Sequence, residues 1–139
     1  MCELVTNYAD VLEALTNGNK WTLFAPPDSA FDAILDPILT LSKDAFSRLV
    51  LFHGADGVVD ADDLKCGDLV DMLDAGSSRF ICRKNSDGED IVIQKGGGNR
   101  KNNILPEIVQ ANVVACDGMI HVVDQVMLPN FIDKFDKFN

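Results

Sequence analysis

A thiol and an imidazole lie five residues apart near the end of the chain, and thiol nucleophiles use this combination of groups. Cys116 and His121 flank the turn signal Asp117-Gly118, so a hairpin would place them on adjacent strands that need not face each other. No Asp or Asn is evidently placed to orient the imidazole, as such a pair requires. We therefore do not expect nucleophilic catalysis at this site.

Three carboxylates crowd one short segment, Asp60, Asp62 and Asp63, as they often do in calcium loops. A calcium loop of the EF-hand type needs Gly at its sixth position and Glu at its twelfth. Counted from Asp60, those positions hold Lys65 and Asp71. The segment is therefore predicted to be a capped turn over residues 60–64, and we expect no metal ion and no cofactor.

A run of glycines, Gly96-Gly97-Gly98, precedes Asn99. Phosphate-binding loops carry a Lys followed by Ser or Thr at the start of a helix, and neither feature is evident here. The sequence therefore predicts a wide, mobile turn at residues 96–99.

Composition and charge restrict the class of protein. The chain has 139 residues, 47% of them hydrophobic, and a net charge of −10, values that suit one globular domain with a substantial core. The negative charge would repel a phosphate backbone, so nucleic acid is an unfavourable partner. No run approaches the length of a membrane span, and Met1-Cys2-Glu3-Leu4 does not resemble a secretion signal.

Four scattered cysteines, Cys2, Cys66, Cys82 and Cys116, admit three pairings and suit an oxidising compartment, although four buried thiols are the alternative. Strands at residues 69–73 and 79–83 would form a hairpin that places Cys66 and Cys82 at similar distances from its turn. This geometry favours a Cys66–Cys82 disulfide, and elimination then leaves Cys2–Cys116.

Apolar residues at helical spacing predict helices over residues 3–16 and 27–35 and a third beginning after Ser42. Ala30, Phe31 and Ile34 would be buried in the second helix. The inward positions of the third helix are Phe46, Leu49, Val50 and Phe52.

Strands are predicted at 21–25, 69–73, 79–83 and 90–94, with an edge-like fragment at 57–59 and a further strand around Ile104. A terminal hairpin begins at Ile108. Helices followed by strands predict an α+β domain with one core. Beyond it, Phe131, Ile132, Phe135 and Phe138 would form the apolar face of a short helix that docks on its own domain, on a neighbouring domain or on a second copy.

Three motifs carry a family resemblance. The first is Trp21-Thr22-Leu23-Phe24-Ala25-Pro26-Pro27-Asp28-Ser29-Ala30-Phe31, and the second is Phe52-His53. The third is Gly118-Met119-Ile120-His121-Val122-Val123-Asp124, followed by Val126-Met127-Leu128-Pro129. In this order and separation they resemble the signatures of fasciclin-like domains over residues 4–129.

The resemblance implies a fold in which N-terminal helices pack on a β-sheet wedge with a C-terminal β-hairpin. It implies one domain at 1–129 and a tail at 130–139, in an excerpt of a longer secreted protein. His121 would be a structural residue, hydrogen-bonded inside the core near the first strand. The signature residues are Thr22, Phe24, Ala25, Pro26, Asp28, Phe31, Gly118, His121, Asp124 and Pro129.

The function implied is that of a non-enzymatic extracellular module of adhesion or matrix organisation. Its partners would be cell-surface or matrix proteins or glycans, with weak self-association as a further expectation. Phe52 and His53 are weak candidates for partner binding, because the family's usual Tyr is replaced by Phe52. The alternative is a binder of lipid or carotenoid, with a groove lined by residues such as Met72, Phe80 and Phe131.

Overall fold

The structure is a computed structural model that describes residues 20–115 and 118–133. The helix predicted at 3–16, the Cys2–Cys116 pairing and the positions of Phe135 and Phe138 lie outside these residues.

A four-stranded mixed sheet joins the two ends of the described chain. Its order is β2 (Gly54–Asp56), β1 (Trp21–Ala25), β7 (Gly118–Val123) and β6 (Ile108–Ala115). β1 runs parallel to β7, and Phe24 lies opposite His121. β6 and β7 form the predicted antiparallel hairpin from Ile108. The first and last signatures therefore lie side by side in one sheet.

A three-stranded antiparallel sheet contains β3 (Leu69–Asp71), β4 (Ser77–Lys84) and β5 (Asp90–Lys95), with β4 in the centre. These strands confirm the prediction for this part of the chain. The expected disulfide also forms, because Cys82 on β4 bonds to Cys66 just before β3, with their Cα atoms 5.4 Å apart.

Three short helices connect β1 to β2: α1 (Asp28–Ala33), α2 (Leu35–Leu39) and α3 (Lys43–Leu51). The helix predicted at 27–35 is present but shorter, since Pro27 is the N-cap and α1 ends at Ala33, with Ile34 as its C-cap. Pro37 lacks an N–H and is tolerated only in a first helical turn, so a new helix begins before it. Ser42 caps α3 as predicted, because its hydroxyl accepts the Ala45 N–H.

Three other local predictions are corrected. Phe46 is 40% exposed rather than inward-facing. The strand expected at 57–59 lies instead at Gly54–Asp56 and ends before Gly57, whose φ of +80° is foreign to a strand. Ile104 belongs to no strand, and its N–H bonds to the carbonyl of Asn99.

The glycine run forms a helix rather than a mobile turn. α4 spans Gly97–Asn102 and buries Gly98, Asn99 and Asn102. A Cβ added to Gly98 would lie 2.6 Å from the Pro129 carbonyl oxygen. The glycines thus allow α4 to approach the 126–132 segment closely. This contact holds the flexible glycine run in one conformation.

Among the described residues, the buried hydrophobic side chains form three core clusters. The smallest, the third cluster, contains Trp21 and Ile120. The second cluster lies beneath the helices and includes Leu49, Leu128 and Ile132. The largest contains Phe24, Phe52, Ala55, Val70, Met72, Phe80, Ile108, Val123 and Met127, so it draws on both sheets.

Candidate functional site

Thr22 ties the segment after β2 to the first strand. Its buried hydroxyl donates to the Gly57 carbonyl at 2.7 Å and accepts the Val59 N–H at 2.8 Å. These bonds add to the backbone bond from the Gly57 N–H to the Lys20 carbonyl. The segment is thereby positioned beside β1, where it meets His121.

His121 lies fully buried on β7 beside the ring of Phe24, with ring centroids 5.2 Å apart. Its Nδ1 accepts the Asn112 N–H at 3.0 Å, which leaves Nε2 to donate to the Val59 carbonyl at 2.7 Å. Burial lowers the pKa of His121, while the bond to Val59 and the charge of Asp60 oppose that shift. The imidazole is therefore neutral and joins β7, β6 and the segment after β2.

Phe52 and His53, the candidate partner-binding residues, are 1% and 4% exposed. Phe52 packs in the largest core cluster. His53 donates from Nδ1 to the Leu49 carbonyl at 2.8 Å and accepts the Met127 N–H on Nε2 at 2.9 Å. Burial lowers its pKa to about 4 despite the bond to Leu49. In this structure both side chains serve the interior rather than the surface.

The two histidines are held by the backbone on both sides of the ring. Both nitrogens of each histidine are engaged by main-chain groups, so neither ring has a free atom with which to move a substrate's proton. Within residues 20–115 and 118–133, no three His, Cys, Asp or Glu side chains group closely enough to hold a metal ion.

The other signature residues shape the chain around β1 and β7. Gly118 lies against the Trp21 indole, where a Cβ would collide with the ring. Asp124 accepts the Glu107 N–H at 2.8 Å and so fixes the start of β6. Pro129 is buried, and its carbonyl accepts the Ile132 N–H.

In the first signature, Ala25 and Pro26 are half-buried as the chain leaves β1. Asp28 is exposed in the first turn of α1, where a carboxylate is favourable. Phe31 is half-buried against the second cluster.

Sequence reasoning missed Asn99, a fully buried residue on α4. Its Oδ1 accepts the N–H groups of Gly96 and Leu128, at 2.9 and 2.8 Å, and its Nδ2 donates to the Val126 carbonyl at 2.9 Å. Only the bond to Gly96 lies within the cap of α4. The sequence feature that could have revealed it is an Asn directly after three glycines, because glycines let another segment of backbone approach closely.

The residues proposed for a hydrophobic-ligand groove do not line one cavity. Met72 and Phe80 lie in the largest core cluster, both 5% exposed. Phe131 packs instead against the second cluster, where the Arg48 guanidinium lies 4.2 Å from its ring centroid.

Open grooves in the described part of the chain flank β4 and β5. The larger is about 830 Å³ and runs between these strands and the start of β6. A smaller one, about 340 Å³, lies between β4, β5 and the residues around α4. No helix among the described residues is long and apolar enough to cross a membrane.

Comparison with known proteins identifies relatives. The family model described as "Fasciclin domain" matches residues 2–129. "Protein sll1483" of Synechocystis sp. is 29% identical over 87% of this chain and 62% of its own length. Human periostin is 26% identical over 88% of this chain and 13% of its own length. The chain thus spans less than two thirds of these relatives.

A solved structure shares the fold. It is the FAS1 domain pair of the insect cell adhesion molecule fasciclin I, with a TM-score of 0.66 at 18% sequence identity. The match covers 86% of this chain and 40% of that one.

Proposed function

Because this chain belongs to the fasciclin family, we propose that it is a non-enzymatic, extracellular adhesion module that binds cell-surface or matrix proteins or glycans. The observation that carries the proposal is the family match over residues 2–129. The cell adhesion molecule whose domain pair shares this fold lends it further support.

The interior geometry agrees with a binding role. A catalytic site needs a titratable group that can reach substrate, whereas His53 and His121 are buried with both ring nitrogens bonded to the backbone. Neither histidine is therefore available to a substrate or a partner, and we propose that partners bind at the exterior. The exposed Cys66–Cys82 disulfide is consistent with an oxidising, extracellular setting.

An attachment assay tests this proposal. Beads coated with the protein are presented to cells and to matrix extracted from the source organism, and bound beads are counted after washing. The control is a coat of an unrelated acidic protein of similar net charge. We expect attachment that rises with coating density and that excess soluble protein blocks. Attachment no greater than that of the control coat would contradict an adhesive role.

A further inference from the structure

The basic residues of this acidic protein are unevenly distributed. Six of the 12 Lys and Arg residues lie between positions 79 and 101, although the whole chain has a net charge of −10. β4, β5 and α4 supply all six of them: Arg79, Arg83, Lys84, Lys95, Arg100 and Lys101.

The pairing of β4 with β5 brings several of these charges onto one face. Arg79 lies directly opposite Lys95, and Arg83 lies two rows further along the same face. Like charges placed opposite each other destabilise a sheet. Burial lowers the pKa of Lys95, and the positive charges of Arg100, Arg79 and Arg83 lower it further.

Three of these cations line the groove of about 340 Å³. Arg83, Lys95 and Arg100 line it together with the Asn103 amide, and Ile81 and Ile93 provide an apolar wall. The volume is at the small end of the range for ligand sites, roughly 300–1,000 Å³, and suits one sugar unit with its substituents.

Two nearby cations outside the groove are paired with carboxylates, whereas those that line it are not. Lys84 pairs with Asp90 at 2.7 Å, and Lys101 lies 3.5 Å from Asp133. Across the described ranges, Arg83, Lys95 and Arg100 form no ion pair. The groove thus concentrates positive charge that an oxyanion would balance, and guanidinium groups bind oxyanions with two parallel hydrogen bonds.

We infer that this groove, defined by Arg83, Lys95, Arg100 and Asn103, binds an anionic sugar unit of an acidic glycan through its sulfate or carboxylate group. The inference rests on the proposed adhesive function and names the chemistry of its partner. A glycan fits better than a nucleic acid, because the remaining surface is acidic and would repel a long, uniformly charged phosphate chain. The Asn103 amide and the isoleucine wall suit hydroxyl groups and a sugar ring.

Binding to immobilised dextran sulfate and to a carboxylated polymer, polygalacturonate, tests the inference, with uncharged dextran as the reference. The groove variant is Arg83→Gln with Lys95→Gln. The matched control is Lys84→Gln with Lys101→Gln, which removes the same charge outside the groove. We expect the groove variant to lose at least about tenfold in affinity for the preferred polymer, since it loses charge-assisted hydrogen bonds. The control should lose less than about threefold, as expected for long-range attraction alone.

Folding is checked by urea denaturation, and the groove variant should be at least as stable as the parent because its like-charge repulsion is relieved. Equal loss in both double variants would overturn a specific site. Equal binding to polyglutamate or to a single-stranded oligonucleotide would overturn the assignment to a glycan. Bead attachment without binding to either polysaccharide would overturn this inference and leave the adhesive function standing.

Discussion

At the residue scale, the two histidines hold the chain together in opposite tautomers. His53 donates from Nδ1 and accepts on Nε2, whereas His121 accepts on Nδ1 and donates from Nε2. Each ring joins segments that are distant in sequence: His53 links the end of α3 to Met127, and His121 links Val59 to Asn112. A protonated ring would lose its acceptor bond, so both links require neutral imidazole.

Stability should therefore fall as the solution becomes mildly acidic. The pKa of His53 is about 4 in the folded protein, whereas an unperturbed histidine, as in the unfolded chain, has a pKa of 6.5. Between pH 4 and pH 6.5 the unfolded chain therefore binds more protons than the folded protein. The contribution of neutral His53 to the free energy of unfolding is complete above pH 6.5 and is lost as the pH falls toward 4. We expect urea denaturation to give about 2 kcal/mol less stability at pH 5 than at pH 7 from His53 alone. The lowered pKa of His121 acts in the same direction.

The variant His53→Gln isolates this contribution, since it removes the titrating group and retains an amide that can form hydrogen bonds. It should be less stable at pH 7 and change less between pH 7 and pH 5. An equally steep pH dependence in the variant would show that other groups control the acid sensitivity.

At the element scale, close backbone approach explains the structure around α4. Gly98 lets the helix lie against Leu128 and Pro129, and Asn99 then bonds to Val126 and Leu128. The helix has six residues, too few to be stable alone in water. Its order therefore derives from tertiary contact.

The substitution Gly98→Ala should disrupt this contact. The added Cβ would lie 2.6 Å from the Pro129 carbonyl oxygen and 2.9 Å from the Leu128 Cβ, and these groups are buried. We expect a loss of about 1–3 kcal/mol by urea denaturation, the usual cost of an overpacked interior. Arg100→Ala, an exposed site in the same helix, is the control and should change stability by less than about 0.5 kcal/mol. Equal stability of the Gly98 variant and the parent would contradict the close approach.

Some elements of this fold could be predicted from the sequence, and others could not. Short strand-like runs between turn residues located β4 and β5, and the Ser42 signal located the start of α3, because these preferences act over a few residues. The glycine run was misjudged because its order depends on residues 126–132, about thirty positions away. Likewise, nothing local reveals that Phe52 belongs to the same core cluster as Met127 and residues of the three-stranded sheet.

In the candidate site, too, some features could be predicted from the sequence and others could not. The place of His121 in an apolar strand predicted a buried, bonded ring, but its partners Val59 and Asn112 come from other segments. The groove cations were not foreseen at all. Arg83 and Lys95 lie on one groove only because β4 pairs with β5, and Arg100 joins them only because α4 follows β5 beside the same groove.

At the scale of the whole molecule, the core draws on both sheets, while a covalent bond restrains the three-stranded one. Phe24 of the first sheet and Phe80 of the second belong to the same cluster. The Cys66–Cys82 bond closes a segment of 16 residues that contains β3 and the turn into β4. It ties the segment before β3 to β4, the strand whose Ile81 and Arg83 line the smaller groove.

Removal of this bond should weaken the fold without abolishing it. The double variant Cys66→Ser with Cys82→Ser should lose about 3 kcal/mol on thermal or urea unfolding, as chain entropy predicts for a loop of this length. The parent in reductant should show at least this loss. Peptide mapping under non-reducing conditions should show a Cys66–Cys82 peptide. A peptide that joins Cys66 to Cys116, or a double variant as stable as the parent, would contradict this role.

The central claim is that the buried histidines are structural and that partners bind at the surface. The most direct test measures stability and bead attachment together in the variant His121→Ala. The substitution removes the partners of the Asn112 N–H and the Val59 carbonyl, so unfolding should become easier by about 1–3 kcal/mol. Val114→Ala on the neighbouring strand, at a residue 76% exposed, is the stability control. At a temperature where parent and variant are both folded, attachment per folded molecule should be unchanged. Unaltered stability together with lost attachment would contradict this account and place His121 in the binding site itself.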